Sequence, residues 1–490
     1  MIPFMFEPYK HQIAMTEFGL VHPCCAFFSE MGTGKTKACI DLIRNRAIQN
    51  GVKKVLIIAP KSILGNWKRE IEINTGNSLN VEIRILDGSK WERVQLLLKP
   101  IERLCFYIIN YEGARILKDE LVRIGFDFVV CDESTRIKDI RAARTKACVQ
   151  IGKRAKYKLL LSGMPIVQNI LDIHSQYLFL DSSILGWSFV AFRNKYFSPV
   201  LLCCPQKHAV YQKKSIEKDK FYCYKCNKWY QNNESKVWKW ECKTEMLQEL
   251  TNKIYEHAIR FRKVDCIDLP EQVYETREIF LNDEEIEIYK EMDKLLHTEI
   301  DGKEVSASII LTKLIRLAQI TSGFAKDENG IEREIKNPSK LQELEDLLDE
   351  TAGEKIIIWC NFVHNIQMIA ELLNKKNISY VTFFGDTKDR DAVIQKFETD
   401  SSCRVFVGNP QTGGLGINLV SASIVVYFSQ GFSLESRIQS ESRTHRLGQT
   451  KKVTYVDLVA NKTIDEYIIQ ALRNKKSVAD CVIEGWRSNK

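Results

Sequence analysis

The octapeptide Ser29-Glu30-Met31-Gly32-Thr33-Gly34-Lys35-Thr36 stands between an apolar run, CCAFF, and the helical pattern KACIDLIRNRAI. A strand, a glycine-rich loop and a helix in that order form a cradle for phosphate. In such a cradle the backbone N–H groups of Gly32, Thr33 and Gly34 turn toward phosphate oxygens, and the start of the helix adds a positive dipole. Lys35 reaches the outer phosphates and Thr36 can ligate Mg2+. Ser29 stands where the strict pattern has its first glycine. A glycine turn capping a helix would explain the glycines, but not the Lys-Thr pair that follows them.

A second apolar run, FDFVVCD, closes on Asp132-Glu133. Ligands of open α/β sheets bind at the carboxyl ends of the strands, so this pair falls where a bound phosphate would lie. Asp132 is expected to hold Mg2+, directly or through water, and Glu133 to polarise the attacking water as general base. Acidic residues at a strand end are usually a solvated turn. The phosphate loop on the same sheet favours the catalytic reading.

The elements that must carry these groups come in two sets. From about Val21 to Leu180, short β-rich runs (CCAFF, VLIIAP, CFYIIN, FDFVVCDE, YKLLLSG) alternate with amphipathic stretches, the rhythm of a parallel sheet wrapped by helices. It restarts near Lys355 with KIIIWC, SYVTFFG, RVFVGN, ASIVVYF and VTYVDLVA. The expected fold class is therefore α/β, two parallel-sheet lobes with helical protrusions and a small central insertion. The expected boundaries are a first lobe over 1–195, with a helical protrusion from about 168, and an insertion rich in Cys, Lys and aromatics over 196–245. A helical protrusion and linker follow over 246–338, then a second lobe over 339–490. Thr463-Ile464-Asp465-Glu466 has the form of a capping box opening a closing helix that braces the second lobe.

Composition bounds the function classes. A chain of 490 residues exceeds one hydrophobic core, and 44% hydrophobic with 27% charged residues excludes large-scale disorder. The net charge of +8 allows a polyanionic partner without singling one out. No apolar run is long enough to cross a bilayer, and the opening MIPFMFEPYKHQ lacks the blocks of a secretion signal, so an intracellular place, cytoplasmic or nuclear, is expected with no membrane partner. Cysteines such as Cys131 and Cys360 lie inside apolar runs, as core thiols in a reducing compartment do.

A further stretch, Gln439-Ser440-Glu441-Ser442-Arg443-Thr444-His445-Arg446-Leu447-Gly448-Gln449, sets two arginines three residues apart. At that spacing they share one helical face, which suits a pair of guanidiniums reaching across a cleft to a nucleotide as arginine fingers. With this stretch, the phosphate loop and DEST (132–135) in view, the chain resembles the Swi/Snf family of helicase-related double-stranded-DNA translocases within helicase superfamily two. The resemblance runs over most of the chain outside the central insertion. It implies RecA-like lobes, with ATP as substrate and Mg2+ as cofactor, and an ATPase that translocates on double-stranded DNA as a monomer by alternating closure of the two lobes. Such an enzyme remodels protein–DNA or branched DNA structures, so a DNA-bound protein is a further expected partner.

Residue by residue, the resemblance makes Gln12 of PYKHQ the reader of adenine. IIAPKSILGNW (57–67), IINYE (108–112) and LLSGMPI (160–166) resemble first-lobe motifs that contact nucleic-acid backbone, which implies roles for Lys61, Asn110 and Ser162, with Gly163 in the coupling segment. In the second lobe, Phe384-Gly385-Asp386 resembles a phosphate-contact turn, and QTGGLGINL (411–419) a motif sensing both DNA and nucleotide through Thr412, Gly414 and Gly416. The chain departs from the family in having DEST for DEAH, Met164 where Thr is common and Thr412 where Ala is common; none of these removes a group the chemistry requires. Two competing classes are a strand-separating DNA or RNA helicase of the same superfamily and a catalytically silent nucleic-acid clamp. The joint presence of Lys35, Thr36, Asp132, Glu133, Arg443 and Arg446 argues against the clamp.

The insertion holds Cys203, Cys204, His208, Cys223 and Cys226. Either Cys204, His208, Cys223 and Cys226, or the set with Cys203 in place of His208, could ligate Zn2+; scattered thiols in a small β-rich insert are the alternative. The Lys, Tyr and Trp content of FYCYKCNKWY and KVWKW suits a nucleic-acid contact or a solvated hairpin equally.

Overall fold

The structure, a computed structural model, describes residues 6–76, 80–163, 165, 170–202, 209–211, 216–217, 220–223, 228–231, 236–266, 269–300, 307–326, 331–413, 417–446 and 448–473. The chain divides between Arg262 and Lys263 into two compact units, Met31–Thr33 being counted to the second.

In the first unit, strands β1 (Cys24–Phe27), β2 (Lys54–Ala59), β3 (Val81–Ile85), β4 (Leu104–Asn110), β5 (Phe128–Asp132), β6 (Tyr157–Leu161) and β7 (Ala258–Ile259) form a seven-stranded sheet among the described residues. Its order is β7-β1-β6-β5-β2-β4-β3 and every pairing is parallel. A parallel sheet is covered by helices on both faces, which is why its strands read as continuous apolar runs. Leu56 and Ile58 pack on one face with Val129, Cys131 and Leu160, and Val55 and Ile57 on the other are equally buried.

Helices α1 (Lys10–Val21) and α2 (Lys35–Asn50) flank the first strand and lie close together. A Cβ at Gly19 would stand 2.4 Å from Leu42 Cδ2, so any larger residue there would have to displace the buried Leu42 side chain. Arg46 of α2 fastens the end of α1 by donating to the carbonyls of Gly19 (3.1 Å) and Leu20 (2.8 Å).

In the second unit, β8 (Gln272–Ile279), β9 (Ile356–Trp359), β10 (Tyr380–Phe383), β11 (Val405–Gly408), β12 (Ile424–Tyr427) and β13 (Val453–Ala460) make a six-stranded sheet among the described residues, in the order β8-β13-β12-β9-β11-β10 and again parallel throughout. Ile356 and Ile358 enter the core on one face, Ile357 and Trp359 on the other. The fold is therefore α/β with two parallel-sheet, RecA-like lobes, as expected.

Two boundaries differ from the sequence reading. The helix Ile173–Leu180, expected in a protrusion from about 168, buries Ile173, Tyr177, Phe179 and Leu180 in the first core. The segment 246–338, expected as protrusion and linker, instead supplies one edge strand to each sheet, β7 and β8. Strands this short, or this poorly marked by apolar residues, are recruited by the open edge of a sheet rather than by their own pattern.

The insertion contains two three-stranded antiparallel sheets among the described residues, one with Phe197–Leu202, Ala209–Tyr211 and Lys236–Cys242, the other with Ile216–Glu217, Lys220–Cys223 and Lys228–Gln231. Trp240, part of the KVWKW stretch offered for stacking on nucleic acid, instead packs against the first core and lies under the Arg193 guanidinium, 4.0 Å from its ring centre.

The closing helix Ile464–Arg473 braces the second lobe by packing Ile464, Ile468 and Leu472 on Leu314, Leu317 and Val459. Its start departs from a reciprocal capping box. Thr463 Oγ1 accepts from the Asp465 amide (3.3 Å), but Glu466 takes the amide of Lys462 (2.7 Å) rather than that of Thr463. No helix among the described residues is long and apolar enough to cross a membrane.

Candidate nucleotide site and nucleic-acid interface

In the first sheet, register brings the expected groups to one edge. Phe27 at the end of β1 pairs with Leu161 of β6, Leu161 with Asp132 of β5, and Ala59 of β2 with Asn110 of β4; Ile58 pairs with Cys131. Five strands therefore end level. The phosphate loop, Ser162, the acidic pair, Lys61 and Tyr111 all follow from that one rim.

The loop after β1 is shaped by its glycines. Gly32 (φ 82°) and Gly34 (φ 78°) adopt left-handed backbone, and Gly34 caps α2. A side chain at Gly34 would also meet Gln12, since its Cβ would stand 2.0 Å from Gln12 Nε2. The buried Gln12 thus lies directly against the phosphate loop, and its Oε1 accepts from the Tyr9 amide (3.1 Å). Ser29 replaces the usual glycine for a local reason: its buried hydroxyl accepts from the Phe261 amide (3.1 Å), tying the loop to the chain after β7. Lys35 Nζ donates to the carbonyls of Ser29 (2.7 Å) and Glu30 (3.1 Å), which holds the ammonium over the loop. Thr36 follows on the first turn of α2.

Two strands away, Asp132 uses both carboxylate oxygens. Oδ2 accepts from the indole of Trp67 (2.9 Å) and Oδ1 from the Glu133 amide (2.9 Å). Glu133 has φ 50°, a left-handed conformation that is uncommon and costly for a non-glycine residue. Trp67 and Tyr111, whose hydroxyl donates to the Asp132 carbonyl (2.6 Å), were not among the residues singled out from sequence. Their motifs were recognised, but nothing in a string shows that an aromatic tip reaches a strand end 65 or 21 residues away. Burial pushes the Tyr111 phenol well above its usual range, so it stays a donor.

The expected backbone contacts fall on the same rim but differ in surroundings. Lys61 is largely exposed and 3.9 Å from Asp87. Asn110 Oδ1 accepts from the Gly113 amide (2.6 Å) and so caps the helix Tyr111–Ile116. Ser162 is buried, and its amide donates to the Phe27 carbonyl (3.2 Å).

In the second sheet, Trp359, Gly408, Phe383 and Tyr427 end level. The Gly385 turn and the short helix Pro410–Gly413, which includes Thr412, follow from that edge; Gly414 and Gly416 lie outside the described residues. The helix Leu434–Thr444 carries Arg443 in its last turn, but His445 leaves helical conformation (ψ 85°). Arg446 therefore lies beyond the helix, which corrects the expectation that the two arginines share one helical face. Gly448 (φ 98°) and the buried Gln449, which donates to the carbonyl of Ala422 (2.8 Å), turn the chain away. Arg446 Nη1 donates to Ile417 O (3.2 Å), and the Leu419 amide to Arg443 O (3.1 Å). Both arginines are thereby laced to the glycine-rich motif.

The arginine helix is fixed by a buried network that the sequence did not announce. Arg437 donates to Glu441 (2.6 Å) and to both oxygens of Asp457, and its guanidinium lies 3.5 Å from the centre of the Tyr427 ring. Tyr455 donates to the Glu441 carbonyl (2.9 Å), and the hydroxyls of Tyr427 and Ser440 are hydrogen-bonded to each other (2.6 Å).

No group of three or more His, Cys, Asp or Glu among the described residues could by itself hold a metal. An Mg2+ held partly by substrate phosphates needs fewer protein ligands, and the Thr36 hydroxyl and Asp132 carboxylate are oxygen donors suited to that hard cation. Of the zinc candidates, Cys203, Cys204, His208 and Cys226 lie outside the described residues, and Cys223 ends the strand Lys220–Cys223.

A glycine-rich loop and an acidic pair on one parallel sheet, followed by a second parallel lobe with an arginine-bearing helix, are the parts of a helicase-like, two-lobed protein. Residues 15–323 match the SNF2-related domain and residues 339–448 the helicase conserved C-terminal domain, and the chain belongs to the SNF2-related family. It is 26% identical over 454 residues to an uncharacterized ATP-dependent helicase of Mycoplasma pneumoniae, covering 92% of this chain and 39% of that protein. To the human DNA repair and recombination protein RAD54B it is 25% identical over 496 residues, covering 93% and 51% respectively. The chain thus spans about half the length of these relatives or less. Among solved structures, the Sulfolobus solfataricus SWI2/SNF2 ATPase core in complex with dsDNA is similar at 24% identity, with 96% of this chain and 92% of that one covered and a TM-score of 0.44.

Proposed function

We propose that this chain hydrolyses ATP in response to double-stranded DNA and moves along the duplex by alternating closure of its two lobes, as a monomer inside the cell, remodelling protein–DNA or branched DNA structures. The observation that carries this reading is the level rim of the first sheet. It sets the phosphate loop and acidic pair beside the three segments that resemble nucleic-acid contacts.

In this mechanism Gln12 reads the base and the amides of 32–36 hold the phosphates, with Lys35 turning from loop carbonyls to phosphate oxygens. Mg2+ held by Thr36 and Asp132 would neutralise phosphate charge. Glu133 orients a water and accepts its proton as the water oxygen bonds to the γ-phosphorus and the bond to the bridging oxygen breaks. Arg443 and Arg446, from the other lobe, stabilise the developing charge, so that closure depends on ATP and release on its hydrolysis. Lys61, Asn110 and Ser162 in one lobe, and Gly385 with Thr412 in the other, grip backbone phosphates in turn, while Gly414 and Gly416 approach the nucleotide.

ATP turnover titrated with duplex DNA, single strands and RNA tests the reading, and turnover indifferent to duplex would sink it. The name of the Mycoplasma relative favours a second reading, strand separation; duplex tracking in a triplex-displacement assay without strand displacement decides for the first. Zinc in the insertion, held by Cys204, Cys223 and Cys226 with His208 or Cys203, is tested by metal analysis, and a content far below stoichiometric removes it.

A further inference from the structure

Three hydrogen-bonded links join residues 132–134 of the first lobe to the three stretches that resemble nucleic-acid contacts, two of them direct and one through Gln176. Trp67, at the end of the stretch 57–67, donates its indole N–H to Asp132 Oδ2 (2.9 Å). Tyr111, next to Asn110, donates its hydroxyl to the Asp132 carbonyl (2.6 Å). Gln176 joins the third: its Nε2 donates to the Pro165 carbonyl (2.8 Å), and its Oε1 accepts from the Ser134 hydroxyl (2.7 Å). Ser134 and Gln176 are fully buried, and Trp67 and Tyr111 nearly so.

We propose that Trp67, Tyr111 and Gln176 are positioning residues that transmit engagement of DNA to the acidic pair. The inference deepens the function proposed above and rests on it. Its physical basis is the cost of breaking a buried hydrogen bond without a substitute partner. If DNA displaces the loop after β2, β4 or β6, the tethered carboxylate or the Glu133-Ser134 turn must follow it, or a buried polar group is left unpaired. Glu133 is already held in left-handed backbone, so a small shift of its flanking atoms re-aims the general base. Gln176 matters most for the third link, because it sits on the helix Ile173–Leu180, away from both segments it joins.

Buried polar groups find partners in any fold, so a purely structural role is the competing explanation. Tyr111→Phe and Ser134→Ala each delete one oxygen and keep the packing. Trp67→Phe removes the third donor and retains a ring. The measurements on the full chain are ATP turnover without DNA and at saturating duplex, the duplex concentration giving half-stimulation, and the melting temperature. For each variant the ratio of DNA-saturated to DNA-free turnover should fall about fivefold or more, the worth of one buried hydrogen bond, at unchanged half-stimulation concentration. Restoring the hydroxyl with Ser134→Thr should recover the ratio that Ser134→Ala loses. An unchanged ratio in the variants, or a loss matched by weaker DNA binding or by a lower melting temperature alone, overturns the relay while leaving the motor intact. A wild-type chain that duplex fails to stimulate overturns both.

Discussion

The two lobes share a parallel sheet but hold their working residues by different means. In the first, strained or glycine backbone at Gly32, Gly34 and Glu133 aims the groups, and neutral side chains such as Trp67, Tyr111 and Gln176 tether them. In the second, charge does the holding: Arg437 is enclosed by Asp457 and Glu441, and Lys340 faces Asp465 at 2.5 Å with both side chains buried. Neutral bonds can be rearranged at modest cost, whereas separating a buried ion pair leaves an uncompensated charge. The contrast holds for these residues and not for each lobe throughout, since the helix that follows the phosphate loop carries a buried ion pair of its own, Asp41 with Arg44 at 3.2 Å.

That contrast can be broken by substitutions whose effects should sort by lobe. If Arg446 acts as the arginine finger proposed above, Arg446→Ala has the largest effect, a loss of about 10³-fold or more in turnover with ATP binding and melting temperature retained. Turnover near wild type would remove Arg446 from the reaction. Lys35→Ala should cost about 10²- to 10³-fold in turnover, again without loss of the folded state, because its bonds run to loop carbonyls rather than into the core.

Lys340→Ala should do the reverse. It strands Asp465, which also accepts from Thr321 (3.0 Å) and from the Ala460 amide (3.1 Å), and should lower stability by about 3–5 kcal/mol in denaturant unfolding. A loss under about 1 kcal/mol, the value of a surface pair, would dissolve the proposed contrast between the lobes.

The smallest effect concerns pH. Burial lowers the pKa of His445 below 6.5, with the Lys263 charge acting the same way and the Pro270 carbonyl opposing. The unfolded chain then takes up this proton before the folded one does, so stability should fall as pH drops below about 6.5 and stay level above it. Melting curves of wild type and His445→Gln at pH 7.5 and pH 5.5 isolate the contribution: the variant should lose less on acidification, and equal losses would assign the dependence to other groups.

Where the candidate site's groups stand in the fold was largely legible because that placement is local. A loop spelled by two glycines, a lysine and a threonine, or an acidic pair closing an apolar run, fixes its own backbone and lies at a strand end by construction. The reading failed where neighbours distant in sequence decide. Arg443 and Arg446 have helical spacing, yet the helix stops at Thr444, and the chain beyond it is tied by Gln449 to the carbonyls of Val420 and Ala422. The strand Ala258–Ile259 is too short to show a pattern and exists because β1 offers an open edge.

By itself the sequence determined the two parallel sheets, through continuous apolar runs that only a doubly covered sheet can bury, and the chemical groups standing at their ends. Tertiary structure alone decided what touches those groups. That Trp67 and Tyr111 meet Asp132, that Gln12 lies against Gly34, and that Arg437 anchors the arginine helix follow from strand order and register, which bring together residues no short-range pattern connects.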